Sequence, residues 1–85
     1  MRTIYKYNLA AGINGIFLPE GYKVLNVADQ YGYITMWVEQ DNAKPGSSRQ
    51  FSVYGTGFGI YNDNEVYVGT AIMTSGLVWH VYENL

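Results

Sequence analysis

The sequence predicts an all-β domain, a small antiparallel sandwich or partly open barrel of about seven short strands. Three observations lead there. Apolar and polar residues alternate along most of the chain, and helical periodicity is almost absent. Glycine- and asparagine-rich turn clusters recur at roughly ten-residue spacing. Nine tyrosines add β-propensity to a chain of only 85 residues.

The elements follow in order. TIYKY (3–7) alternates Thr3, Tyr5 and Tyr7 against Ile4 and Lys6, the pattern of a half-buried strand. NLAAGING (8–15) is small and glycine-punctuated and reads as a connection with room for a helical turn. GIFLP (15–19) is a short strand stopped by Pro19, and PEG (19–21) is a turn. Residues 22–41 form a hairpin with arms KVLNVAD and YITMWVEQ. Its turn falls near Gln30-Tyr31-Gly32, where Gly32 accepts a positive φ. In the second arm Ile34, Met36 and Val38 share one face and Tyr33, Thr35, Trp37 and Glu39 the other. DNAKPGSSR (41–49) is a polar loop, RQFSVYG the next strand and YNDNE (61–65) a second turn. EVYVGTAIM and LVWHVYE, joined through Thr74-Ser75-Gly76, make a closing hairpin.

Composition narrows the function classes. The chain is long enough for one domain, 1–85, and a domain of this size buries only about 60–65% of its unfolded surface, so its stability is modest. Without cysteine there is no disulfide, no thiol nucleophile and no cysteine-type zinc site. The tyrosine load exceeds what a small interior can hide, which points to a homo-oligomer or a partner contact. Net charge is −2, and Arg2, Lys6, Lys23, Lys44 and Arg49 form no run, so general nucleic-acid binding is not expected. No apolar stretch approaches the roughly 20 residues of a membrane helix, and MRTIYKYNLA lacks a secretory h-region. These features fit a cytosolic protein; no cofactor and no metal are expected.

YGTGFGI (54–60) is the one motif-like stretch. Gly55 and Gly57 fit the first two positions of a dinucleotide fingerprint, but the third falls on Ile60 and no helical pattern follows. No Gly-Lys-Ser/Thr ending of a Walker loop is present. Two readings remain open: an anion nest of successive backbone N–H groups, or a strand corner at which glycine relieves crowding and Phe58 packs or projects.

The inventory of reactive groups is thin. His80 is the single histidine; if Trp79 faces the core, His80 faces outward, and the sequence pairs no orienting acid with it. The carboxylate pairs Asp63/Glu65 and Glu39/Asp41 read as solvated turn residues rather than cation ligands. Lys44 and Arg49 flank the KPGSS loop, either to solubilise it or to clamp a phosphate or an acidic partner.

The blocks TIYKYNL, PEGYKVLNV, MWVEQD, RQFSVYGTGFGI, YVGT and LVWHVYE run the length of the chain. In order and spacing they resemble a family of small phage and prophage proteins described only as a domain of unknown function. The resemblance implies a phage-encoded protein acting in the cytoplasm of an infected bacterium, and it carries over no catalytic residue.

These readings favour a non-enzymatic binding protein that counters host defence, either by occupying a host defence protein or by sequestering a nucleotide second messenger. The residues expected to carry it are Tyr54, Gly55, Gly57, Phe58, Arg49, Lys44, His80 and Tyr82. Two alternatives stand beside it: a structural or accessory phage protein of the virion or of replication, and a small hydrolase or phosphodiesterase using His80.

Overall fold

Alternation gives each strand one apolar face, and two sheets bury those faces against each other. The computed structural model describes residues 1–85 and contains β1 (Thr3–Leu9), β2 (Gly12–Pro19), β3 (Lys23–Gln30), β4 (Tyr33–Gln40), β5 (Gly46–Gly55), β6 (Glu65–Ile72) and β7 (Val78–Asn84). One sheet has the order β1-β4-β3 and the other β2-β5-β7-β6, with every pairing antiparallel. The sheets do not close into a barrel, and no helix is long and apolar enough to cross a membrane.

The core lies between the sheets. Ile34, Met36 and Val38 project inward from β4, as the alternation requires, and meet Phe51, Val53, Ala71 and Val81 from the other layer. Leu9, Leu18, Val27 and Met73 complete one continuous cluster. Opposite β4, Tyr5 and Tyr7 take the inward-facing positions of β1. Their hydroxyls are satisfied in a relay: Tyr7 donates to Gln40 at 2.7 Å, Gln40 to Asn42 at 2.8 Å, and Asn42 to the Tyr5 oxygen at 2.9 Å.

One side of the sandwich is shut and the other open. On the shut side β3 and β6 approach each other, and both carry a bulge, at Leu25 and at Val68. A methyl group on Gly69 would lie 2.9 Å from Cγ2 of Val27, so only glycine permits this approach. Asp29 ties the same side together. One of its oxygens accepts from the Gly32 amide, and the other from the Thr74 amide and hydroxyl. These bonds hold the Asp29 carboxyl below its ordinary range, the Thr74 amide acting most strongly. On the open side, β1 and β2 are sheet edges joined through Ala10-Ala11. The Asn14 amide bonds both the N–H and the C=O of Ala10 there, at 2.9 Å each.

The structure corrects the sequence reading at two connections. Segment 8–15 holds no helical turn: β1 runs to Leu9 and β2 begins at Gly12, because Gly12 turns the corner at φ 93° and Asn14 supplies the bonds that a longer loop would otherwise need. The loop at 41–49 is shorter than expected, since β5 begins at Gly46 and pairs with Pro19. The β3–β4 hairpin turns as expected through Tyr31 and Gly32, both at positive φ (54° and 84°), which suits a two-residue type I′ connection.

The last three strands do not form a simple meander. β7 inserts between β5 and β6, so β5 and β6 run parallel, and residues 56–64 must travel the length of the sheet to join them. This crossover passes over the outer face of the four-stranded sheet.

Candidate functional site

On β5 and β7 the odd-numbered positions Val53, Val81 and Trp79 face inward. The even-numbered Ser52, Tyr54, His80 and Tyr82 therefore face outward, joined from β6 by Tyr67 and Thr70. Trp79 thus packs on the core and its neighbour His80 does not, as alternation predicts.

The three tyrosine rings stack edge-to-face across three strands. Tyr54 and Tyr82 are 5.8 Å apart between ring centroids, and Tyr82 and Tyr67 are 5.6 Å apart. Edge-to-face pairing sets the positive rim of one ring on the negative face of the next, which fixes ring orientation. The Tyr54 hydroxyl donates to Glu65 at 2.5 Å, and this bond, with burial, raises its pKa above the ordinary tyrosine value.

His80 sits beside this ladder. Its Nε2 is 2.9 Å from the Thr56 hydroxyl and its Nδ1 is 3.2 Å from the Thr70 hydroxyl, which in turn bonds the Tyr67 hydroxyl at 2.6 Å. A neutral imidazole offers one donor and one acceptor, and hydroxyls rotate to match either tautomer. No carboxylate touches the ring.

The glycine stretch is a corner. Phe58 N–H donates to the Gly55 carbonyl at 3.0 Å and closes a β-turn with Gly57 third at φ 90°, where a type II turn demands glycine. Thr56 N–H is spent on the Val78 carbonyl at 3.2 Å. Two of the N–H groups that an anion nest would aim at a ligand are therefore consumed. The turn lays the Phe58 ring over Gly55, where a methyl group would come within 3.0 Å of it, and edge-on to Trp79 at 6.1 Å.

Three cavities meet at Phe58, of about 420, 380 and 230 Å³. The smallest is lined by Tyr54, Gly55, Gly57, Phe58, His80 and Tyr82, six of the eight residues singled out from sequence. The largest lies between Phe58, Trp79 and the Gly76-Leu77 turn.

The other two candidates lie elsewhere. Arg49 is on the inward side of β5, the parity of Phe51, and is not a free cation. Its guanidinium donates twice to one Glu83 oxygen, at 3.0 and 2.5 Å, and the Tyr22 hydroxyl donates to the same oxygen. The pair with Glu83 raises the Arg49 pKa. Burial, then the bond to Glu83, pushes Tyr22 up to about 12. Lys44 is in the β4–β5 loop, beyond the far end of β5 from Tyr54, roughly 30 Å along an extended strand. Lys44 and Arg49 therefore do not form a clamp with the YGTGFGI corner: the register puts one on the wrong face and the other at the wrong end.

With the fold and this face described, comparison with known proteins supplies one assignment. The chain belongs to the family described as a domain of unknown function, DUF7352. The family profile matches residues 1–85. No curated protein and no solved structure matches the chain.

The structure also adds residues that sequence reasoning missed, Thr56, Thr70 and Tyr67, and corrects the reading of Glu65 as a solvated turn residue: it opens β6, half-buried, and accepts from the Tyr54 hydroxyl. Thr70 stands opposite His80 only because the Val68 bulge shifts the register by one, and nothing in EVYVGTAIM announces that bulge. Outside the shut side, the outer face of the four-stranded sheet and its crossover carry just Glu65 and Asp63 as charges. None of the five basic residues is on it. The opposite face of the sandwich presents Lys6, Lys23 and Glu39.

Proposed function

We propose that the protein is a non-catalytic binding module that seats a protein partner on the outer face of its four-stranded sheet, at the ladder of Tyr54, Tyr82 and Tyr67. One observation carries this reading: the face combines an orientationally fixed tyrosine ladder, half-buried at Tyr54 and Tyr82 and exposed at Tyr67, with an absence of basic residues. Exposed aromatic clusters poor in charge are the composition of interface cores, and tyrosine and tryptophan lose little side-chain entropy on binding. A nucleotide second messenger is less well supported, because its phosphates would find neither a cation nor a row of free N–H groups here. Given the phage-like sequence, the partner is a bacterial host defence protein met in the host cytoplasm.

Site-specific photocrosslinking in bacterial cells, paired with native mass spectrometry of the gently purified protein, tests this. A photoreactive side chain at position 67 should trap one discrete protein, one at position 6 on the opposite face should not, and Tyr82→Ala, which removes the central ring of the ladder, should abolish the adduct. Equal trapping from both faces would overturn the reading. A retained nucleotide-sized mass would replace the protein partner with a ligand.

One observation favours a second reading. Thr56 and His80 stand as a hydroxyl–imidazole pair at 2.9 Å, the spacing of a nucleophile and its base, in a small hydrolase. The orienting group on the far nitrogen is a threonine rather than a carboxylate, so no negative charge stands by to stabilise an imidazolium. Unchanged biological activity of folded His80→Ala would remove this reading.

A further inference from the structure

The edges of the two sheets are not alike. β1 carries Lys6. β3 carries Lys23 and Asp29 and a bulge at Leu25; β6 carries Glu65 and a bulge at Val68, and these two strands face each other on the shut side. Charges, bulges and coverage are the devices that keep sheet edges from pairing with other chains. β2 has none of these three, and its one protective residue, Pro19, stands at the strand's end. GINGIFLP contains no charged residue, its register against β5 is unbroken from Gly12 to Pro19, and it forms the edge of its sheet on the open side. Two large apolar side chains on this edge lie in solvent, Ile13 at 71% and Phe17 at 69% exposure.

We infer that β2 pairs with β2 of a second copy, antiparallel, about a two-fold axis through Gly15. A two-fold interface must match itself, residue i against j and j against i. About Gly15 this condition is met: Ile13 of each copy faces Phe17 of the other on the outer side, and the two glycines meet on the axis with no side chain to hold the large residues apart. The neutral strand opposes no like charges. Pro19, which has no N–H to give, falls outside the paired stretch of Gly12 to Leu18. The product is a continuous eight-stranded sheet, and the inference does not depend on what the outer face binds.

Size sets the expected strength. The seven-residue paired stretch is about 23 Å long, and with one row of side chains it offers under roughly 300 Å² per partner, well below half of the ~800 Å² of a standard interface. The dimer is therefore weak and concentration-dependent.

Sedimentation across micromolar to millimolar protein tests this, with amide exchange read on the same samples. The expected result is a monomer–dimer equilibrium in which protection rises with concentration at β2 and not at β1. Ile13→Lys with Phe17→Lys should be monomeric, as should Ile13→Glu with Phe17→Glu, and mixing the two should restore a heterodimer that dissociates in salt. Since the Phe17 ring lies against Gly46, Ile13→Lys alone serves if the double variants unfold; it should weaken association at least tenfold. A monomer at every concentration, a dimer undiminished by the lysines, or protection at the tyrosine face instead of β2 would each overturn the inference.

Discussion

Gly57→Val probes the corner at the centre of the candidate face. Residue 57 has φ 90°, and a Cβ built there meets nothing within 4 Å. The cost is therefore backbone strain alone, with no steric neighbour to share the blame. For an L-residue in this region the strain is about 1–2 kcal/mol, rising toward about 3 kcal/mol for a β-branched side chain. A domain of this length holds about 4–13 kcal/mol in total, so the loss is a substantial part of it. At about 4–8 °C per kcal/mol, it lowers the melting temperature by roughly 8–16 °C for a 2 kcal/mol strain. The assay is urea and thermal unfolding of a series, because the order is more telling than any one value. Asparagine tolerates positive φ, alanine less and valine least, so the stabilities should fall from glycine through Asn and Ala to Val. If Gly57→Val matches the parent, or if all three variants lose the same amount, positive φ is not what residue 57 supplies and the type II corner is wrong.

Three further outcomes are expected. Gly69→Ala should cost about 1–3 kcal/mol by overpacking Val27, and in a double-mutant cycle Val27→Ala should relieve part of that cost; strict additivity in chemical denaturation would show that the two sheets do not touch at this point. At high pH, Tyr22 keeps its proton in the fold to about 12 but loses it near 10.0 when unfolded. Stability should therefore fall as pH rises between those values, and Tyr22→Phe should make the fall shallower, leaving the part due to Tyr54; an unchanged alkaline limb would argue against the bond to Glu83. At low pH the sign reverses for Asp29, whose folded pKa is depressed below 3.8: its contribution is present above that value and lost as pH falls through the folded pKa. Thr74→Ala should accordingly flatten the acid limb seen by circular dichroism.

Local rules made much of the fold legible, because alternation and turn chemistry act within a few residues. They were enough to put Ile34, Met36 and Val38 on the core face of β4, to turn the hairpin at Gly32, and to set Trp79 inward and His80 outward. They also singled out six residues that line one cavity. What they missed depends on pairings far apart in the chain. Arg49 was open to a clamp reading until Glu83, 34 positions away, proved to neutralise it on the inner face. Thr70 joined His80 only through a bulge, and the insertion of β7 between β5 and β6 is what sends the crossover over the outer face and brings Ile60 to the cavity lined by Tyr54, His80 and Tyr82. The same topology sorts the few charges in a way that no window of sequence reveals. Lys6, Lys23 and Glu39 solvate the outer face of the three-stranded sheet, whereas the four-stranded sheet turns its basic residue inward and shows solvent aromatic rings and a neutral edge. The unprotected edge of β2 and the tyrosine ladder therefore belong to one sheet, separated only by β5. At 14% charged residues the chain is sparing with charge on either face, against about 25% in an average domain. What differs between the faces is the sign of the charge: Lys6 and Lys23 stand on the three-stranded sheet, whereas the other face shows aromatic rings with only Glu65 and Asp63, and that difference is what supports the proposal that a protein partner seats there.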